Sequence, residues 1–509
     1  MTERRDFLRI ASALGVSHAV PAIAQPRPRF AENPFGLGVA SGYPRPDGMV
    51  LWTRLIGDFD PAAIPLRWEI AADESMRKIV LSGAAEARPE WAHSVHVEPR
   101  GLGPDRWYWY RFLAGDAVSP VGRTRTAPAS SAAVPRLRFA FASCQHYEHG
   151  YFSAYRHMVA EDLDLCVFLG DYIYESSLRR NQVRAHDRAD EPVTLEEYRA
   201  RHAWYKSDEN LQSAHRALPW IATWDDHEVD NDYANDRQED GTPPAEFLLR
   251  RAAAYRAYYE HMPLPGSMRP KGPDMRIHTT LAWGSLANFH VLDGRQYRSP
   301  QACPRKAGGA NEVDPRDCAE LGDPARTMLG AEQEAWLDRQ FASSTASWNI
   351  IAQQVLMAQR DGQPGAGRKF WTDNWDGYPA ARKRLLQSVV SRRLANPVVI
   401  GGDAHMNFVS DLKVDFDRMN SPVVASEFVG TSITSAPGSW QKDLPAILAE
   451  NPHMKYGRAD RRGYVCASIA GGRLTAELIG LDTVKKPASR SEVLARFAVE
   501  DGKPGPQRI

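Results

Sequence analysis

Short apolar runs that break off into polar residues dominate the hydrophobic pattern of this chain. Residues 139–142, 166–169, 220–223 and 398–400 are four such runs, each β-rich and apolar. Each is followed at once by residues of metal-ligand type. These are Cys144 after the first, Asp171 after the second, Asp225, Asp226 and His227 after the third, and Asp403 with His405 after the fourth. In α/β sheets, binding residues collect at the carboxyl ends of strands. The pattern therefore predicts one metal cluster built on one sheet edge.

From Leu137 onward, strands alternate with helical stretches, which implies a mostly parallel sheet. Helices are expected over 151–163, 195–207, 246–261, 331–343 and 378–393, and a buried strand over 348–355. Further strands over 421–429, 463–469 and 474–481 are expected to extend the catalytic sheet in antiparallel fashion. Ahead of this region the pattern is purely β. Residues 50–54, 66–70, 94–97 and 107–112 are short alternating runs separated by turn signals, the pattern of a small β-sandwich. Stretches 25–35 and 126–134 read as linkers. The expected organisation is an all-β domain over 36–128 followed by an α/β catalytic domain over 136–490.

Composition narrows the class. The chain has 509 residues, with 63 basic and 63 acidic side chains and no formal net charge. That balance argues against a dedicated nucleic-acid binder. A hydrophobic content of 43% suits an ordinary globular protein, and the length suits two or three domains. At the N-terminus, Glu3-Arg4-Arg5-Asp6-Phe7-Leu8-Arg9 resembles a twin-arginine export signal. A mildly apolar stretch follows, and Ala22-Ile23-Ala24 fits a small-residue cleavage site. The stretch is too short and too polar to anchor the mature chain in a bilayer. Residues 1–24 thus predict export of the folded protein by the twin-arginine machinery to the periplasm or medium, with a cofactor already loaded.

Cys303 and Cys318 flank a polar Gly/Pro-rich loop and could pair in an oxidising compartment, whereas Cys166 and Cys466 read as core residues. Cys144 ends a strand and enters a polar turn, and it is the cysteine assigned to chemistry. In Gly170-Asp171-Tyr172-Ile173-Tyr174, a carboxylate can bridge two cations and one tight turn can aim the Tyr174 phenol at the same ion. The bland alternative is a buried aspartate capping the turn beside a core tyrosine. The run from Thr223 to Asp232 offers adjacent oxygen donors that suit a hard cation such as calcium. A solvated acidic loop is the alternative there. His227 could ligate, or could stabilise a phosphoryl oxygen and protonate a leaving group. His405, two residues after Asp403, reads as a transition-metal ligand. Arg295, after the strand-like residues 288–292, could hold a phosphate through two hydrogen bonds or form a surface salt bridge. The Trp- and Asp-rich stretch 371–378 could roof a pocket or simply pack.

Taken together, Ser143-Cys144-Gln145, Gly170-Asp171-Tyr172-Ile173-Tyr174-Glu175, Trp224-Asp225-Asp226-His227-Glu228-Val229-Asp230-Asn231, Trp375-Asp376-Gly377-Tyr378-Pro379 and Gly402-Asp403-Ala404-His405 resemble the motifs of PhoD-type alkaline phosphatases, in the family order. The resemblance covers nearly the whole mature chain. It implies a calcineurin-like metallophosphatase core, a mixed-sheet sandwich flanked by helices, preceded by a small β-sandwich. It further implies a ferric ion with one or two calcium ions, and hydrolysis of phosphate monoesters and often diesters. On that basis Cys144, Asp171, Tyr174 and His405 hold iron, Asp171 also faces calcium, and Asp226, Asn231 and Asp403 supply further oxygen ligands. Purple acid phosphatases resemble the Asp171–Tyr174 turn but usually carry an aspartate where Cys144 stands. Asp232 replaces a more usual asparagine and keeps the oxygen donor. The expected mechanism is direct attack of a metal-bound hydroxide on phosphorus, assisted by His227 and Arg295, in a monomer without a phosphoenzyme. The rival readings are a phosphodiesterase acting on a polymer or phospholipid, and an exported glycan-binding protein.

Overall fold

The computed structural model describes residues 29–59, 62–418, 420–438 and 443–509. The export segment read over residues 1–24 lies outside them. Two large sheets face each other, one of ten strands and one of seven. Their facing surfaces form a core in which Phe139, Val167 and Ile221 from the first meet Phe289, Ile350 and Val398 from the second. Alternate residues of the same strands point the other way. Ala140, Cys166, Phe168 and Trp220 pack beneath the helices Ala154–Ala160, Leu195–Lys206 and Pro244–His261. Ile351 and Val399 pack beneath Gly330–Ser343 and Pro379–Ser391. A strand covered on both faces must be apolar throughout, which is why these strands read as continuous runs. The architecture is the expected mixed α/β sandwich flanked by helices.

The strand ends that carry the candidate ligands do not share one sheet. Arg136–Ala142, Leu165–Phe168 and Pro219–Ala222 lie side by side and parallel, with Leu165 opposite Phe139 and Cys166 opposite Trp220. Pro397–Gly401 belongs to the facing sheet, between Trp348–Ala352 and Val423–Val429. An apolar run reveals that a strand is buried, not which sheet owns it. The C-terminal strands divide in the same way. Val423–Val429 joins the seven-stranded sheet, while Arg462–Ala470 returns to the first sheet antiparallel to Arg136–Ala142.

The N-terminal β region is a sandwich whose layers have different attachments. Ile64–Ala71, Ile79–Ala87, Trp107–Ala114, Ala117–Val118 and Gly122–Arg125 form a five-stranded sheet. Val39–Arg45, Gly48–Arg54 and Ser94–Val97 instead extend the ten-stranded sheet, through parallel pairing of Ser41 with Pro219. Leu51, Ile70, Tyr110 and Phe112 fill the space between the two layers. The Tyr43 hydroxyl donates to the Ala222 carbonyl at 2.6 Å, tying this layer to a strand that ends in the candidate site.

Most of the expected helices form within a few residues of their predicted limits. Leu195–Lys206 begins at a capping box made by Thr194 and Glu197. The helix expected over 151–163 is shorter, Ala154–Ala160, because the Tyr151 N–H bonds to Val484 across the chain. Glu209–Ala217, capped by Asp208, was not anticipated, nor were the strands Ser491–Glu500 and Lys503–Arg508. Cys303 and Cys318 form a disulfide, and Cys166 and Cys466 are buried thiols. Among the described residues, no helix is long and apolar enough to cross a membrane.

Two buried histidines outside the candidate ligand sets make the fold sensitive to acid. His290 is fully buried between the Thr280 hydroxyl and the Asn349 side chain, and His453 meets the Gln359 carbonyl at 2.6 Å. Burial pulls each pKa down to about 4. As pH falls from 6.5 toward 4, the unfolded chain gains protons that the native state excludes, so stability is lost in that window. Each histidine contributes on the order of 3 kcal/mol to this loss. Urea denaturation of wild type and His290→Asn at pH 7 and pH 4.5 should show a smaller acid-induced loss in the variant; equal losses would contradict the assignment.

Candidate active site and metal centre

The strand ends turn sharply into the site. Cys144, Asp171, Asp403 and His405 all adopt left-handed backbone conformations, with φ between 54° and 60°. Non-glycine residues hold such geometry at a cost of roughly 1 kcal/mol or more each, so the surrounding structure must impose it. Two glycines permit the close approach of neighbouring elements. A Cβ on Gly170 would collide with Asp225, and one on Gly402 would collide with Ser143 of the facing sheet.

The result is a row of linked ligand sets. Cys144, Asp171 and His405 place one ligand atom each within 4.8 Å of one another. The Tyr174 hydroxyl joins them, 2.6 Å from Asp171 Oδ2 and 3.1 Å from His405 Nε2. His405 Nδ1 lies 2.7 Å from the Ala436 carbonyl and donates to it, which leaves Nε2 as the free lone pair aimed at the cluster. Asp171, Asp226 and His227 form a second set, Asp225, Asp226 and Asp403 a third, and Asp226, Asp232 and Asp373 a fourth. The donors change along the row from sulfur, nitrogen and phenol to carboxylates alone, which suits a transition metal at one end and a hard cation at the other.

The fit to cations has independent support in orphaned atoms. Asp171 Oδ1 is buried without a hydrogen-bond partner, and Asp226 Oδ1 has only the Arg295 Nη2 at 3.5 Å, too long for a hydrogen bond; buried carboxylate oxygens are rarely left so. Burial, with Asp171 and Asp403 adding to it, pushes the Cys144 thiol well above its usual range. Burial and Asp171 do the same to the Tyr174 phenol. Burial and the carboxylates alongside also raise Asp225 and Asp403. A bound cation reverses this logic by stabilising the charged forms.

Two groups hold the acids in place. Glu228 accepts the N–H of Asp171 at 3.1 Å, of Tyr172 at 2.6 Å and of Asp225 at 2.8 Å. It thus ties together the turns after Leu165–Phe168 and Pro219–Ala222. Arg295 is fully buried, with Nε 2.5 Å from Asp225 and Nη1 2.9 Å from Asp373, while Arg298 reaches Asp373 at 2.7 Å. Arg295 therefore engages carboxylates in the interior rather than a surface partner. His227 Nδ1 lies 2.7 Å from Glu175, and its ring stacks on Tyr174 at 4.1 Å. Although burial opposes charge, Glu175, Asp226 and Asp171 together raise the His227 pKa well above the usual histidine range. The Asn231 amide donates to Glu239 at 2.9 Å, and its backbone N–H to Glu175 at 3.1 Å.

Sequence reasoning missed Glu228 and Asp373. Asp373 lies in the Trp- and Asp-rich stretch read as a possible roof, and that composition was its signal. Glu228 was one acid among several in the 225–232 run, where spacing alone does not show which faces inward.

A sheet-on-sheet α/β core with thiol, phenol, imidazole and carboxylates gathered at its strand ends suits metal-assisted hydrolysis. The chain belongs to the PhoD-like phosphatase family: the family model matches residues 139–478, and the model of the family's N-terminal domain matches residues 20–128. Alkaline phosphatase D of Bacillus subtilis (strain 168) is 45% identical over 528 aligned residues, which cover 100% of this chain and 89% of that protein. A solved structure described as "Structure of PhoD" superposes with a TM-score of 0.89 at 46% identity, covering 95% of this chain and 93% of that one. The protein is accordingly a phosphoric ester hydrolase, which decides against the glycan-binding reading.

Glu228→Gln swaps an acceptor for an amide whose NH₂ faces backbone N–H groups. It should cost about 1–3 kcal/mol of stability and lower metal content together with activity. Denaturation and elemental analysis of the purified variant check this; unchanged stability and metal content would refute the tethering role.

Proposed function

We propose that this protein is an exported, metal-dependent alkaline phosphatase that hydrolyses phosphate monoesters and also diesters, using one ferric ion and one or two calcium ions. The observation that carries this reading is the linked row of ligand sets with orphaned oxygens on Asp171 and Asp226. Cys144, Asp171, Tyr174 and His405 would hold the iron, with Asp171 also facing calcium; Asp226, Asn231 and Asp403 would supply further oxygen ligands, and Asp225, Asp232 and Asp373 complete the acidic end. When bound, the cations supply the charge that makes water nucleophilic and neutralises the phosphoryl oxygens. The chain's own residues do the rest. His227, kept protonated by Glu175, donates to the leaving-group oxygen. Arg295 fixes Asp225 and Asp373 beside it. No serine or threonine nucleophile is required.

The reading extends to the whole chain. Residues 1–24 act as a twin-arginine signal, 36–128 as the β-sandwich domain and 136–490 as the catalytic domain, whose ten-stranded sheet continues into Ser491–Glu500 and Lys503–Arg508, in a periplasmic or secreted monomer. The Cys303–Cys318 disulfide supports an oxidising destination.

Cys144→Ala should lose both the iron and the visible charge-transfer absorbance, together with activity; an active, iron-loaded variant would sink the ligand assignment. Turnover of p-nitrophenyl phosphate against bis(p-nitrophenyl) phosphate measures the monoester-to-diester preference. His227→Gln should lower kcat about 10²- to 10⁴-fold for an alkyl phosphate but far less for p-nitrophenyl phosphate, whose leaving group needs little protonation. Equal losses on both would remove His227 from the general-acid role.

A further inference from the structure

His149 stands outside every ligand set and every motif quoted above, yet the structure prepares it for a ligand. It follows Tyr147-Glu148 in the turn beyond Cys144 and is half-buried. Its Nδ1 accepts the Ala436 N–H at 3.0 Å, so in the neutral ring the proton sits on Nε2. Nε2 forms no hydrogen bond among the described residues and is not among the buried orphaned atoms. The ring cannot easily turn away, because it stacks on His146 at 4.0 Å and 22°. His146 in turn lies 4.4 Å from Tyr174, whose ring stacks on His227 at 4.1 Å. This column of four rings has His227, the expected proton donor, at one end and His149 at the other.

One residue also links His149 to a candidate metal ligand. The Ala436 carbonyl takes the Nδ1 proton of His405, and the Ala436 N–H goes to His149. The same residue therefore leaves His405 with a lone pair directed at the cluster and His149 with a spare donor on Nε2.

We propose that His149 contacts the substrate, its Nε2–H donating to an oxygen of the phosphate ester on the Ala436 side of the ligand cluster. The proposal rests on the phosphatase reading. A neutral donor suits this position, since it recognises a phosphoryl oxygen without setting a further positive charge against bound cations. Burial is the main cause that keeps the ring neutral, lowering its pKa below the usual histidine range.

Two substitutions separate substrate contact from a purely structural role through Ala436. His149→Asn keeps a carbonyl near the Nδ1 position and so an acceptor for the Ala436 N–H, but it lacks the outer donor. His149→Gln places an amide N–H near the Nε2 position. The proposal expects KM for p-nitrophenyl phosphate and Ki for inorganic phosphate to rise about 10- to 100-fold in His149→Asn, and to stay within about 3-fold of wild type in His149→Gln, with metal content unchanged in both. Rescue by Asn and not by Gln would assign His149 to holding Ala436 and overturn the proposal, as would wild-type constants in both variants. If the variants do not fold, the metal-loaded wild type supplies the decision. Carbethoxylation of His149 by diethyl pyrocarbonate, followed by peptide mass, should slow in the presence of inorganic phosphate; a rate indifferent to phosphate overturns the assignment. Wild-type turnover judges the phosphatase reading separately, since phosphate protection without turnover would defeat that reading alone.

Discussion

Carboxylates crowd the strand ends with too few positive groups to match them. Asp171, Asp225, Asp226 and Asp373 are buried almost completely, Asp232 and Asp403 lie alongside, and Arg295 and Arg298 are the guanidinium groups among them. Two like charges at such separations repel by about 3 kcal/mol per pair at an effective dielectric of about 20. A chain cannot keep several such pairs ionised in its interior without help. It either protonates some of them, the direction in which burial pushes Asp225 and Asp403, or it recruits cations. The surrounding features make sense as the means of holding this unfavourable group together: the strained turns at Cys144, Asp171, Asp403 and His405, the Glu228 tether and the buried guanidinium of Arg295.

The two-sheet arrangement is what lets residues so distant in sequence meet. The first three strands share parallel register, so their carboxyl ends line up without further adjustment. The fourth comes from the opposing sheet, and its approach requires a residue without a side chain where Gly402 faces Ser143. Packing of Phe139 on Phe289 across the interface, with ring centroids 5.2 Å apart, helps set the sheet spacing on which that contact depends. The geometry of the candidate ligands and the hydrophobic core are consequently not separable here. A core change that shifts one sheet against the other also shifts Asp403 and His405 against Cys144 and Asp171.

The residue pattern disclosed the strands, and therefore the ends of the strands, because continuous burial leaves continuous apolar runs. It brought forward the candidate ligands because Cys144, Asp171 and His405 stand just past the ends of apolar runs, and the structure places them together. It did not disclose the second sheet, because pairing partners are long-range and leave no mark on a strand's own composition. Glu228 was hidden for a related reason: three backbone N–H groups from two separate turns select it, and nothing within the 225–232 run distinguishes it from Asp230. Glu209–Ala217 escaped notice although Asp208 supplies a clear cap, since the segment between two stronger patterns is short and mostly polar. The alternation over residues 107–112 did report the burial of Trp107–Ala114 faithfully, yet it gave no sign that the other layer of the same sandwich continues into the catalytic sheet.

Much of the site's chemistry is set by main chain rather than by side-chain partners. Ala436 offers no functional side chain, but its carbonyl and N–H fix the proton positions of His405 and His149. Ser435 next to it has its Oγ 2.8 Å from the Tyr174 hydroxyl and 2.9 Å from the Cys144 carbonyl. The segment that follows Val423–Val429 therefore touches the thiol-bearing turn, the phenol and both imidazoles. Its placement depends on the seven-stranded sheet, whereas Cys144 and Tyr174 are placed by the ten-stranded one. Correct tautomers at His405 and His149 thus require that the two sheets be seated against each other first, so the ligand set at the sulfur end can be completed only once the core between the sheets has formed.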